Sequence, residues 1–189
     1  MCKNTISIND NNFLTIFSQN IRSMNKNLDS FLSMFDHNNM PDVFIFTETW
    51  HDLDTLVSIP GYRDVHTIRH GRSGGVSIFV KGMLSSSLID EFSFANTSIE
   101  ICTIKITNSN QHVYLSGVYR PFSDNIDNFN SAIENIISNN MFASSPSVFA
   151  GDFNINIMCE RGDVDRFVDT MRSHHFLQTL TDIRYSSWP

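Results

Sequence analysis

Apolar positions along the chain follow two rhythms. In "NKNLDSFLSMFDHNN", Leu28, Phe31, Leu32 and Phe35 recur at i, i+3, i+4 and i+7, which predicts one apolar face of a helix. Asn38 and Asn39 are expected to end it, and Pro41 cannot continue it. The same spacing predicts helices through Phe129, Ile133, Ile136 and Ile137, and through Val164, Phe167, Val168 and Met171. Elsewhere the apolar residues run together or alternate. "NNFLTIFSQN", "GGVSIFVKG" and "HVYLSGVYRP" read as strands, the last closed by Pro121. "DVFIFTETW" is nearly continuous, the pattern of a strand buried on both faces. "SIEICTIKIT" alternates with a period of two and has both faces mostly covered. In "SVFAGDFNIN", Val148, Phe149 and Ala150 read as a buried strand that Gly151 ends.

The predicted order is strand, helix, strand, several strands, helix, strand, helix. Strand–helix–strand units at both ends flank a run of strands. This predicts a layered α/β domain whose sheets are covered by helices. A fully parallel doubly wound sheet fits less well, because the middle of the chain has no helices. There is no internal repeat, linker or low-complexity tract.

Composition narrows the class. The 189 residues suit one domain, and 41% hydrophobic residues with 16 Phe are globular rather than disordered usage. The polar start "MCKNTISINDNN" has no apolar signal core, and no run approaches membrane-spanning length, so no membrane partner is expected. Cys2, Cys102 and Cys159 fit neither a zinc spacing nor a disulfide framework, which points to a reducing intracellular setting. The net charge of −7 counts against a nonspecific nucleic-acid binder. Locally, "GYRDVHTIRHGRSGGVSIFVK" gathers Arg63, Arg69, Arg72 and Lys81 with His66 and His70. A solvated hairpin explains that stretch equally well.

Four of the predicted strands end in groups suited to phosphate or metal. "FLTIFSQN" delivers Asn20, "DVFIFTETW" Glu48, "VYLSGVYRP" Tyr119 and Arg120, and "SVFAGDFNIN" Asp152 and Asn154. Any one of these is more often a cap or a solvated turn. All of them at C-terminal strand ends match the place where α/β folds gather active sites. The chemistry that wants this set is phosphodiester hydrolysis with a hard divalent ion, which takes oxygen ligands and often only one or two carboxylates. Glu48 suits a metal anchor. Asn20 and Asn154 can orient phosphate or water without adding negative charge. Asp152 can accept a proton from attacking water. Tyr119 can donate to a phosphate oxygen as charge builds. Gly151 would let backbone and substrate approach closely.

At these residues the sequence resembles the endonuclease/exonuclease/phosphatase superfamily, which includes deoxyribonuclease I, apurinic endonucleases and inositol-polyphosphate phosphatases. "SQN", "FTETW", "SGVYRP" and "GDFN" look like its successive motifs. With "GYR" and "RSGGVSIFVK", the chain is similar to the apurinic-type endonuclease domain of non-LTR retrotransposons over nearly its whole length. The resemblance implies a four-layer α/β sandwich, two packed mixed sheets with helices outside. It implies Mg²⁺ or Mn²⁺ bound by Glu48 beside Asn20, and a water polarised by Asp152. It further implies phosphate contacts from Asn154 and Tyr119, and substrate binding by Arg120 and Arg72. The implied partner is target-site duplex DNA, the implied setting the nucleus, and a full-length element would carry a reverse transcriptase domain.

The family pattern continues past "GDFN" to a further acidic residue and an Asp-His pair that holds the phosphate. No Asp-His pair follows Asp152 here. His174 and His175 read as surface or helix C-cap residues, and His51 as a solvated loop residue. The expectation is therefore a single domain over residues 1–189 that lacks its last strands, incomplete at the C-terminus, with impaired or absent turnover. A phosphatase acting on inositol or lipid phosphates and a nonenzymatic remnant are the competing readings.

Overall fold

The structure is a computed structural model, and it describes residues 2–9, 12–36, 39–51, 54–69, 71, 73–108, 111–122, 125–158 and 161–177. In chain order the elements are β1 (Cys2–Asn9), β2 (Asn12–Asn20), α1 (Met24–Leu32), β3 (Val43–Thr47), β4 (Tyr62–Thr67), β5 (Val76–Lys81), β6 (Ser85–Leu88), β7 (Phe94–Ala95), β8 (Glu100–Asn108), β9 (Gln111–Tyr119), α2 (Ile126–Ile137), α3 (Asn140–Ala143), β10 (Ser147–Asp152) and α4 (Gly162–Ser173).

Two mixed sheets form. The first has the order β1-β2-β3-β5-β4 and the second β10-β9-β8-β6, with β7 also paired to β8. Among the described strands only β2 with β3, and β9 with β10, run parallel. Each parallel pair is joined through helix, as a parallel connection requires. That topology aligns the strand ends that matter. Asn20 lies opposite Thr47, the residue before Glu48. Asp152 lies opposite Tyr119, which also faces Glu100 on its other side.

The apolar residues sort into three layers of packing. Leu14, Ile16, Val43, Ile45, Val76 and Ile78 of the first sheet meet Cys102, Ile104, Ile106, Val113 and Leu115 of the second. On the outer face of the first sheet, Phe17, Phe44, Phe46 and Phe79 pack under Leu28 and Phe31 of α1. The Phe31 and Phe46 rings meet edge to face at 5.2 Å. On the outer face of the second sheet, Ile99, Ile101 and Val118 pack under Phe129, Ile133 and Ile137 of α2 and Phe167 of α4. The result is the expected four-layer α/β sandwich. β3 contributes alternate side chains to two cores, so its five residues are all buried. Full burial of a Phe such as Phe44 stabilises the fold by roughly 1.5–3 kcal/mol.

The structure corrects several expectations. β10 continues through Gly151 to Asp152, and all six of its residues are half-buried rather than buried. Among the described strands its only neighbour is β9. The close approach at Gly151 is to the backbone of that neighbour: a Cβ would strike the Val118 carbonyl. The basic stretch does form a hairpin, since β4 pairs antiparallel with β5 along its full length, but only the β4 edge is solvated and β5 is buried. α1 stops at Leu32, before Phe35, which still packs on the aromatic cluster. Asn38 lies outside the described residues.

Candidate active site

Glu48 leaves β3 on a strained turn. Glu48 and Trp50 have φ of 52° and 54°, left-handed values that cost a non-glycine residue about 1–2 kcal/mol each. Backbone hydrogen bonds hold the turn from two sides. The Ser23 and Met24 amides, at the start of α1, donate to the Glu48 and Thr49 carbonyls at 2.8 and 2.9 Å. No side chain caps that helix, so the turn itself satisfies these orphan donors. From the other side, the Thr49 and Trp50 amides donate to the Gly75 and Gly74 carbonyls at 3.3 and 2.9 Å.

Asp152, Asn154 and Arg120 form a second knot. The Asn154 amide N–H donates to Asp152 Oδ1 at 3.1 Å. Asn154 Nδ2 donates to the Arg120 carbonyl at 2.7 Å. Arg120 Nε and Nη2 donate back to the Phe153 and Asn154 carbonyls at 2.9 and 2.6 Å. Arg120 is buried, so its guanidinium braces the loop after β10. An open cavity of about 290 Å³ adjoins this knot, lined by Arg120, Asn125, Asn154, Asn156 and Arg161.

Asn20 joins the two halves. Its Nδ2 donates to Glu48 Oε1 at 2.6 Å and to Asp152 Oδ2 at 2.8 Å. Its Oδ1 is buried and, among the described residues, has no hydrogen-bond partner, an arrangement that costs about 1–3 kcal/mol when nothing answers it. The Tyr119 hydroxyl lies under the influence of Glu48. Burial, then the charges of Glu48, Glu100 and Asp152, push the Tyr119 pKa far above its ordinary value of 10.0, so the phenol stays protonated.

This set fits a hard divalent ion. Two carboxylates and one unanswered amide oxygen are oxygen donors only. Among the described residues no three His, Cys, Asp or Glu side chains gather into a preformed ligand set. Mg²⁺ needs none, since water and substrate phosphate commonly complete its shell.

The structure thus brings Asn20, Glu48, Tyr119, Asp152 and Asn154 together, with Arg120 beside them. Arg72 lies outside the described residues, as do His37 and His70. His51 is buried, not a solvated loop residue, and its ring meets His66 edge-on at 5.3 Å. His174 is the C-cap of α4, at the opposite end of that helix from the Asn154 cavity.

Sequence reasoning missed Glu100. It is fully buried, accepts from the Gly75 amide at 2.5 Å and from Arg69 Nη1 at 3.0 Å. Burial raises its pKa more than the Gly75 N–H and Arg69 lower it, and the charge of Glu48 adds to the rise. Gly74, with φ of 92°, leaves room for that carboxylate: a Cβ there would sit 2.5 Å from Glu100 Oε1. The only available signal was the charged residue opening a strand of alternating apolar residues.

A model of the Endonuclease/Exonuclease/phosphatase family matches residues 17–189. No curated protein matches the sequence. Among solved structures, the endonuclease domain of TRAS1, a telomere-specific non-LTR retrotransposon, superposes with a TM-score of 0.67 at 14% identity, over 84% of this chain and 71% of that one. The 3'-5' exonuclease NExo from Neisseria meningitidis gives 0.59 at 17% identity, over 84% and 70%. Humanized D. rerio TDP2 gives 0.52 at 16% identity, over 88% and 72%.

Proposed function

Since the chain belongs to the endonuclease/exonuclease/phosphatase family, whose members are phosphodiester hydrolases, we propose that its Asn20–Glu48–Asp152 cluster serves divalent-cation-dependent hydrolysis of DNA, as the nicking domain of a retrotransposon. The observation that carries this reading is Asn20, which ties both carboxylates together and leaves a buried amide oxygen unanswered.

Glu48 and Asn20 Oδ1 would hold Mg²⁺ or Mn²⁺. When bound, the ion supplies positive charge to a phosphate oxygen. Asp152 takes the proton of the attacking water as the new P–O bond forms and the bond to the leaving oxygen breaks. Its two oxygens are fixed by Asn20 and the Asn154 amide, which sets the direction from which it accepts. Asn154 keeps one side-chain N–H beyond its bond to Arg120, enough to orient a phosphate oxygen. Tyr119, held protonated, donates to the phosphate as its charge develops.

DNA as substrate is supported by the neighbours, which include D. rerio TDP2 complexed with a single-strand DNA product and NExo bound to a product DNA hairpin. The formal charge of −7 favours the competing reading, a phosphatase for a small phosphorylated substrate. The test is purified chain with supercoiled plasmid and Mg²⁺ at low salt, run beside soluble inositol phosphates and the Glu48→Gln variant. Slow nicking, lost without the ion and in the variant, is the expected result. Turnover of inositol phosphates with intact plasmid, or equal nicking by the variant, would contradict it.

A further inference from the structure

The catalytic cluster is acidic, and a polyanionic substrate must be held against it. Arg120, expected to bind substrate, is buried and bonded to the Phe153 and Asn154 carbonyls of the loop after β10. Lys81 is committed to Asp42 at 2.9 Å on the opposite end of its strand, and Arg161 to Asp163 at 2.6 Å. Arg69 differs. It lies just past β4, whose last residue, Thr67, pairs with Val76, which in turn pairs with Thr47. That register puts it on the same rim as Glu48. Thr67 also donates to the Ile101 carbonyl at 2.9 Å, locking this end of β4 to the second sheet beside Glu100.

We propose that Arg69 is a clamp for the DNA backbone phosphate, held in place by the buried carboxylate of Glu100. The inference rests on the reading of DNA as substrate. One guanidinium nitrogen is pinned to Glu100 Oε1 at 3.0 Å while the side chain remains 30% exposed. A guanidinium has five N–H donors in a fixed fork, so the pinned group keeps donors for a phosphate at little further entropic cost. Burying Glu100 completely is otherwise expensive. Its Oε2 accepts from Gly75, whose carbonyl, with that of Gly74, holds the Glu48 turn. Glu100 is thus a positioning residue for both the anchor and the clamp. If Arg69 were only a counterion for Glu100, its loss would weaken the fold without changing how DNA affinity responds to salt.

The test is anisotropy of a labelled DNA duplex with the full chain in chelator, where no hydrolysis is needed, across a salt series. Arg69→Gln is expected to weaken binding and to reduce the slope of log K against log[salt] by about 1. Arg69→Lys is expected to keep the slope while losing part of the affinity, because a point charge lacks the fork. A folded Arg69→Gln variant with the parent's affinity and slope overturns the inference alone. A parent that binds no DNA overturns it together with the DNA reading. Should Arg69→Gln fail to fold, phenylglyoxal labelling of the parent decides: DNA should protect Arg69, and equal modification with and without DNA overturns the proposal.

Discussion

Asn20 and Asp152, 132 positions apart in the chain, meet through one hydrogen bond of 2.8 Å that crosses from the first sheet to the second. The candidate site therefore exists only while the two sheets pack in one relative position. Each half is fixed locally, Glu48 by α1 and the Gly74–Gly75 segment, Asp152 by β9 and the Asn154 loop. Their alignment depends on the core between the sheets.

Gly117 on β9 tests that dependence. A Cβ there would lie 2.7 Å from Val76 Cγ1 and 2.8 Å from Ile45 Cγ2, both stiff β-branched side chains. Gly117→Ala is expected to cost about 1–3 kcal/mol by overpacking. Chemical denaturation measures the loss. An unchanged midpoint would mean that the interface is loose enough to leave the two halves of the site unaligned.

Asp152→Asn should leave the circular dichroism spectrum unchanged and remove most of the residual plasmid nicking. Loss of a positioned general base typically costs about 10²–10⁴-fold. Nicking within a few-fold of the parent would reduce Asp152 to a strand-end cap.

Glu100 gives the fold a pH signature. Its pKa is raised in the folded protein, chiefly by burial. The folded state therefore keeps the proton to higher pH than the unfolded chain does. The stability this contributes is fully present below the ordinary carboxylate value of 4.5 and is lost as pH rises through the raised value. Glu100→Gln cannot titrate, so the Tm of the parent should fall relative to this variant from pH 4 upward. Arg69, Glu48 and Tyr119 are the charged or titratable groups acting around Glu100, and all remain in the variant. Parallel Tm profiles of the two proteins would contradict the assignment.

The sequence made the helices and central strands legible because their side chains face one core or two. Leu28 and Phe31, or Phe129 and Ile133, repeat at the helical period since the opposite face is solvated. β1 is not legible, and β4 only as one arm of a solvated hairpin, because edge strands need little apolar surface: "YRDVHT" of β4 is mostly half-buried or exposed. The site residues were readable as polar groups ending apolar runs. What their spacing did not carry is the bonding between them. Asn20 as the link between the two carboxylates, Arg120 as a brace and Glu100 as a buried anchor all depend on contacts across sheets or loops, and no local pattern records those. His51 illustrates the same limit, being buried against His66 of β4, a contact that no local pattern records.

Whether Glu48 and Asn20 form a divalent-cation site is read from Mn²⁺ binding by electron paramagnetic resonance, which needs neither DNA nor turnover. Weak binding is expected for the parent chain, competed by Mg²⁺ and abolished in Glu48→Gln while the fold is retained. Mn²⁺ affinity in a folded Glu48→Gln variant equal to that of the parent would contradict it.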